Sequence, residues 1–241
     1  MVGNIVKPIA SKGLCPMDNL SEIQNAVVDC RRCPRLVLWR EEVALKKVRR
    51  YQAEEYWGRP VPGFGDFMAQ LVVVGLAPAA HGGNRTGRMF TGDDSGHWLI
   101  RAMHGAGFSN QNHSERPNDN LKLKNAYVTA AVHCAPPNNK PTLTEADQCR
   151  PFLTQELNII RPRVIVALGH FAFNAVIKYL KSYDTYPGGW QFGHDVSYHL
   201  AVPFPLSVVA SYHPSRQNTQ TGRLTESMLL SVFTHARSLL E

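Results

Sequence analysis

The 241-residue chain contains no run of about 18 apolar residues, so no segment reads as a membrane-spanning helix. Its first residues, MVGNIVKPIASKGLCPMDN, lack the apolar stretch of a secretory signal. These two absences predict a cytoplasmic protein. There is no internal repeat and no low-complexity segment. Neither GxxxxGK[ST] nor GxGxxG occurs, which removes the two common phosphate-cradling loop signatures. Acidic residues are the scarcer charge: 19 Asp+Glu stand against 26 Lys+Arg, for a net charge of +7. A basic balance of this kind favours a polyanionic partner such as nucleic acid. Cysteine is sparse, at five residues. In a cytoplasmic chain, five cysteines do not read as a disulfide framework.

What is present is an ordinary globular composition. The hydrophobic share of 44% is ample for a buried core. Residues 1–241 are read as a single domain with an irregular leader over residues 1–19. The chain is organised around residues 71–97, LVVVGLAPAAHGGNRTGRMFTGDDSGH. Leu71 to Gly75 is a short β-branched run closed by glycine, the pattern of a buried strand. A loop rich in Gly, Asn, Thr and Arg follows, and Gly92-Asp93-Asp94-Ser95-Gly96 opens a helix. Loops this long are usually functional or disordered, and Met89 and Phe90 argue against disorder.

Further strands are predicted at Ala126–Val132, Arg163–Leu168 and Leu206–Ala210. Helices are predicted at Ser21–Asp29, Leu36–Tyr51, Thr144–Ile160, His170–Leu180 and Leu224–Leu240. Residues 109–124 read as a solvent-facing insertion, and residues 184–200 as a Gly/aromatic excursion that contains a hairpin. Buried strands alternating with helices predict a parallel α/β sheet. The loops after the first, second and fourth strands carry the polar chemistry, and the topology brings them to one edge.

Cys30 and Cys33 form a CxxC pair, while Cys134 and Cys149 are separated by fourteen residues, one after a strand and one on the next helix. Four such thiolates suit tetrahedral zinc or a [4Fe–4S] cluster, and the split second pair leans towards iron–sulfur. Four buried reduced cysteines are the plainer reading. Cys15 has no partner in sequence. His213, after an apolar strand and before Pro214, is a donor for a developing oxyanion or an ordinary core histidine. Asn139, after two prolines, reads a base edge or is a turn asparagine. Asp93 is a functional acid or a helix cap, and Phe90 is a stacking ring or core.

The segments GLAPAAHGGNRTGRMFTGD (75–93), CRRC (30–33), HCAPPNNKPT (133–142) and YHPSRQNTQTGR (212–223) together resemble family 5 of the uracil-DNA glycosylases. The resemblance spans about residues 20 to 235. It implies an α/β/α sandwich around a four-stranded parallel sheet. It also implies an enzyme that flips uracil and other deaminated or damaged bases out of duplex DNA and hydrolyses the glycosidic bond. It implies a [4Fe–4S] cluster on Cys30, Cys33, Cys134 and Cys149. The backbone of Gly75, Leu76, Ala77, Pro78 and Ala79 would wall the pocket, and Phe90 would stack on the base. Asp93 would position the water or stabilise charge on the sugar. Asn139 would bind the base edge, and His213 would donate to the base O2. Ser215, Arg216, Gln217 and Asn218 would line the loop that fills the duplex, and Arg85 and Arg88 would meet phosphates. The partner expected is duplex DNA containing uracil or another damaged base, with no membrane, bound by a nucleoid-associated monomer.

The best known members of the superfamily carry an Asp in the first motif that orients the attacking water. This chain has Ala77 there, as family 5 does, which moves that role to other residues. Two other readings compete. One is a non-catalytic uracil-DNA binder, favoured by the missing acid. The other is a zinc α/β enzyme acting on a phosphorylated small molecule, disfavoured by the missing phosphate-loop signatures.

Overall fold

The computed structural model describes residue 17 and residues 19–184, 186–201 and 205–241. Residues 17 and 19 apart, the leader expected over residues 1–19 lies outside the described residues, as does Cys15. The chain opens with α1 (Leu20–Val28), whose first turn is closed by the Asn19 side chain accepting from the Glu22 amide at 3.0 Å. Helix α2 (Pro34–Lys46) begins directly after Cys33, with proline in its first turn. The helix predicted to reach Tyr51 stops at Lys46, because Lys47 turns left-handed (φ 49°) and Val48 is extended. Residues Arg49–Tyr51 then form a separate 3-10 turn.

Four parallel strands form the centre of the sheet: β2 (Leu71–Gly75), β3 (Ala126–Ala130), β4 (Val164–Leu168) and β6 (Leu206–Ser211). Two antiparallel edge strands extend it, β1 (Phe64–Gly65) beside β3 and β5 (Val196–Leu200) beside β6. No hairpin lies within the described residues of 184–200; the end of that segment, β5, pairs instead with the central strand β6 that follows. The order is β1-β3-β2-β4-β6-β5. Alternate residues face opposite layers, as a period of two requires. Val72, Val74, Ile165, Ala167 and Val208 pack towards α1, α5 (Leu143–Ile160) and α6 (His170–Leu180). Leu71, Val73, Val164, Val166 and Val209 pack towards α4 (Asp94–Gly105) and α8 (Glu226–Ser238). The result is the expected three-layer α/β/α arrangement.

The order β3-β2-β4 means that the chain leaves β2 to one side and returns to the other. Such a switch point opens a crevice beyond the carboxyl ends of the strands. The loop after β2 spans that crevice, and it contains a four-residue helix, α3 (Gly83–Thr86). Residues 109–124 are more than a solvent-facing insertion. Ser109 bridges to Leu123, and Ser114 is fully buried against Arg88 and Thr91.

Candidate active site

The carboxyl ends of β2, β3, β4 and β6 deliver their loops to one cavity of about 830 Å³. Leu76, Ala77, Pro78 and Ala79 from the β2 loop line it, together with Phe90, Asp93, Asn139, His213, Ser215, Arg216 and Asn218. Gly75 does not line it but supports it from behind: a Cβ there would lie 2.6 Å from the Phe90 ring. Phe90 sits at φ 49°, a costly conformation for a bulky residue. Gly96 packs against its carbonyl, where a Cβ would lie 2.2 Å from the oxygen. Two glycines thus hold one aromatic ring, 9% exposed, at the base of the cavity.

Asp93 caps α4, and its Oδ1 accepts from the Gly96 amide at 2.8 Å. Its other oxygen lies over Gly82, where a Cβ would approach to 1.8 Å. The helix-cap reading of Asp93 is therefore correct, and it coexists with a place in the cavity. Burial pushes the Asp93 carboxyl up from its ordinary value, opposed by the Gly96 N–H. The neighbouring Asp94 also lines the cavity, and there it pairs with Arg216.

His213 follows β6 and packs its ring 6.2 Å from Phe90. Burial lowers its pKa to about 4, so the imidazole is neutral at pH 7 and presents one N–H donor and one acceptor. Its backbone is fixed on the far side, where its carbonyl accepts from the Asn218 side chain at 2.8 Å. Asn139 ends the 3-10 turn Pro137–Asn139, with Asn138 and Asn139 both left-handed (φ 53° and 54°). Asparagine tolerates that conformation better than most residues. The prolines and the left-handed pair aim an exposed amide at the cavity. The arrangement offers an anion-binding donor, a carboxylate and an amide around one aromatic floor.

A profile described as "Uracil DNA glycosylase superfamily" matches residues 62–237. The chain belongs to this superfamily. Its relatives place it on the type-5 branch. A Type-5 uracil-DNA glycosylase of Pyrobaculum aerophilum is 48% identical over 212 residues, covering 88% of this chain and 89% of the relative. One of Thermus thermophilus is 48% identical over 224 residues, covering 92% and 99%. One of Mycobacterium bovis is 45% identical over 223 residues, covering 92% and 82%.

Within this uracil-DNA glycosylase fold, some expected residues lie elsewhere. Arg85 and Arg88 were expected at phosphates, but the structure buries both. Arg85 pairs with Glu54 and donates to the carbonyls of His81 (2.7 Å) and Gly92 (3.1 Å). Arg88 donates to Asp119 (2.8 Å), Thr91 (2.9 Å) and Ser114 (3.1 Å). Their guanidinium groups tie the loop together, because a buried cation must spend its donors on internal acceptors. Gln217 lies exposed on α7 (Arg216–Gln220), outside the cavity lining. Conversely, sequence reading passed over Arg50, Tyr51, Tyr212 and Arg223, all of which line the cavity. Tyr212 and Arg223 lay inside a motif already singled out. Arg50 and Tyr51 sat in a stretch read as a charged helix, with no local signal linking them to residues 75–93.

Cys30, Cys33, Cys134 and Cys149 are free thiols lining one small cavity between α1, α2, the β3 loop and α5. Burial pushes Cys134 up to about 12 and Cys149 well above the ordinary thiol value. Among the described residues, no three or more of His, Cys, Asp and Glu are grouped to hold a single metal ion. The donor set is all soft sulfur, which is the chemistry an iron–sulfur group takes. Four sulfurs lining one cavity are the donor set that such a cluster would take. No described helix is long and apolar enough to cross a membrane.

Proposed function

We propose that this protein removes uracil and other deaminated or damaged bases from duplex DNA by hydrolysing the N-glycosidic bond of a flipped-out nucleotide. The observation that carries the reading is the meeting of Asp93, Asn139 and His213 in one cavity floored by Phe90. As the bond breaks, the sugar gains cationic character and the base gains negative charge. A neutral His213 donates to the base oxygen where that charge collects. Asp93, through the oxygen not bound to Gly96, holds the water or faces the cationic sugar. Asn139 binds the base edge, and Phe90 stacks beneath it.

Ala77 and Ala79 line the cavity without filling it, which supports tolerance of bases larger than uracil. Asp93 supplies an acid to the cavity although Ala77 stands where the best known superfamily members have theirs, and this favours an enzyme over a passive binder. Cys30, Cys33, Cys134 and Cys149 would hold a [4Fe–4S] cluster. When bound, it would act as a covalent tie between the start of α2 and the loop that presents Asn139. The test is base release from a panel of lesions, each opposite all four bases. Steady release of free uracil and of at least one deaminated purine is expected. Tight binding without release would overturn the enzymatic reading.

A further inference from the structure

The cavity mouth carries a basic element that the first motif does not supply. Residues 46–51, KKVRRY, hold four cations and no acid. The left-handed Lys47 ends α2 and throws the following turn against the cavity, where Val48, Arg50 and Tyr51 line the wall. Three of the acids near this turn are engaged, Glu42 with Lys46, Glu54 with Arg85 and Asp94 with Arg216, while Glu55 is exposed. Arg49 and Arg50 are exposed and have no ion-pair partner among the described residues.

Tyr51 fixes the turn in place. Its ring is in contact with two guanidinium groups, Arg85 at 3.9 Å and Arg50 at 4.9 Å from its centroid. Arg85 is itself locked by Glu54 and two carbonyls, so the stack stands on a rigid base. Tyr51 and Arg216 line the same cavity, so the turn and Arg216 share its mouth. The burial of Arg85 and Arg88 thus leaves the phosphate-facing role to other cations.

We infer that the Lys47–Tyr51 turn is a phosphate-binding strip, in which Arg49 and Arg50 hold the DNA backbone beside the flipped nucleotide, continuous with Arg216. The inference rests on the proposed reaction at the same cavity. Phosphate contacts position a duplex without reading its sequence, so the strip acts alike on damaged and undamaged DNA.

The experiment measures affinity for an undamaged duplex, which is bound without being cleaved, between about 50 and 200 mM salt. The parent, Arg49→Gln/Arg50→Gln and a control, Lys122→Gln/Lys124→Gln, are compared. The control removes equal charge at the opposite edge of the sheet, before β3. Each phosphate contact contributes about 0.9 to the slope of log K against log salt. The arginine pair should therefore flatten the slope by about 1 to 2, with the control at the parental slope. An unchanged slope in the arginine variant overturns the strip, as does an equal change in the control. Uracil release by the parent is assayed separately. If release fails while the slopes divide as expected, the reaction is wrong and the strip stands.

Discussion

Burial acts on His213 and Asp93 in opposite directions along the pH axis and towards the same end. It lowers the histidine to about 4 and raises the carboxyl, so each is pushed towards its neutral form. For His213 this is the useful state, a fixed N–H donor that holds through the working pH range. Removing one preorganised donor costs on the order of 100- to 1000-fold in rate. His213→Ala should fall in that range in single-turnover base release while DNA affinity changes little. For Asp93, the ionised form is the useful one. The acid limb of the rate profile should therefore belong to Asp93 and lie above the ordinary carboxylate value of 3.8. Asp93→Asn should lose roughly ten-fold or more, as expected for a positioned polar group, and should lose the acid limb with it. Asp94→Asn should cost much less, because the Asp94 carboxylate is already paired with Arg216. A parental rate in Asp93→Asn on both uracil and hypoxanthine would reduce Asp93 to a helix cap.

The loop between β2 and α4 works as an element because its glycines make room for particular neighbours. Gly82→Ala would drive a Cβ into the Asp93 carboxylate, where the gap is 1.8 Å. It should lower base release at least as far as Asp93→Asn while leaving the sheet intact, a split read from single-turnover rates beside thermal melting. A variant with parental activity would show that Asp93 works from another position. A cluster held by the four cysteines would tie elements together as well. Cys30→Ala should give a colourless, poorly soluble protein, checked by visible absorbance and iron content. A soluble, iron-free, fully active variant would remove the cluster from the reading. Regular elements were legible from sequence because period and caps are local signals. Helix α5 starts at the Thr142–Glu145 capping box, and α6 spans His170–Leu180 as expected. The meeting of Asp93, Asn139 and His213 was legible through motif and topology. The fates of Arg85, Arg88, Gly82 and Tyr51 were not, because each is set by a neighbour distant in sequence or by the packing of the loop itself. An arginine bound for Glu54 reads the same as one bound for a phosphate.

Over the whole molecule, the same burial that readies the site makes the fold sensitive to acid. A histidine that stays neutral when folded but titrates near 6.5 when unfolded gives the unfolded chain the extra proton between those values. Stability from His213 is therefore complete above about 6.5 and is lost as pH falls towards 4. Depressed carboxylates act lower on the scale. Arg35 and Thr142 hold Glu145 down, and Arg88 and backbone amides hold Asp119 down, each against the cost of burial. Their contribution is present above the ordinary values of 4.5 and 3.8 and disappears only below them. Glu156 and Asp93, both raised by burial, work the other way, since protonation relieves them. The first loss of stability on acidification should thus come from the histidines that burial lowers, His213 with His81 and His194, before any paired carboxylate titrates. His213→Gln removes that ionisation and keeps a polar side chain of comparable reach. Urea midpoints at pH 7, 5.5 and 4.5, spaced by about one to one and a half units to resolve the histidine step, should fall further in the parent than in His213→Gln, where His81 and His194 still titrate. Both proteins should then decline together at lower pH. Parallel loss in the two from pH 7 downward would mean that His213 is charged in the folded protein and enters the reaction as an imidazolium.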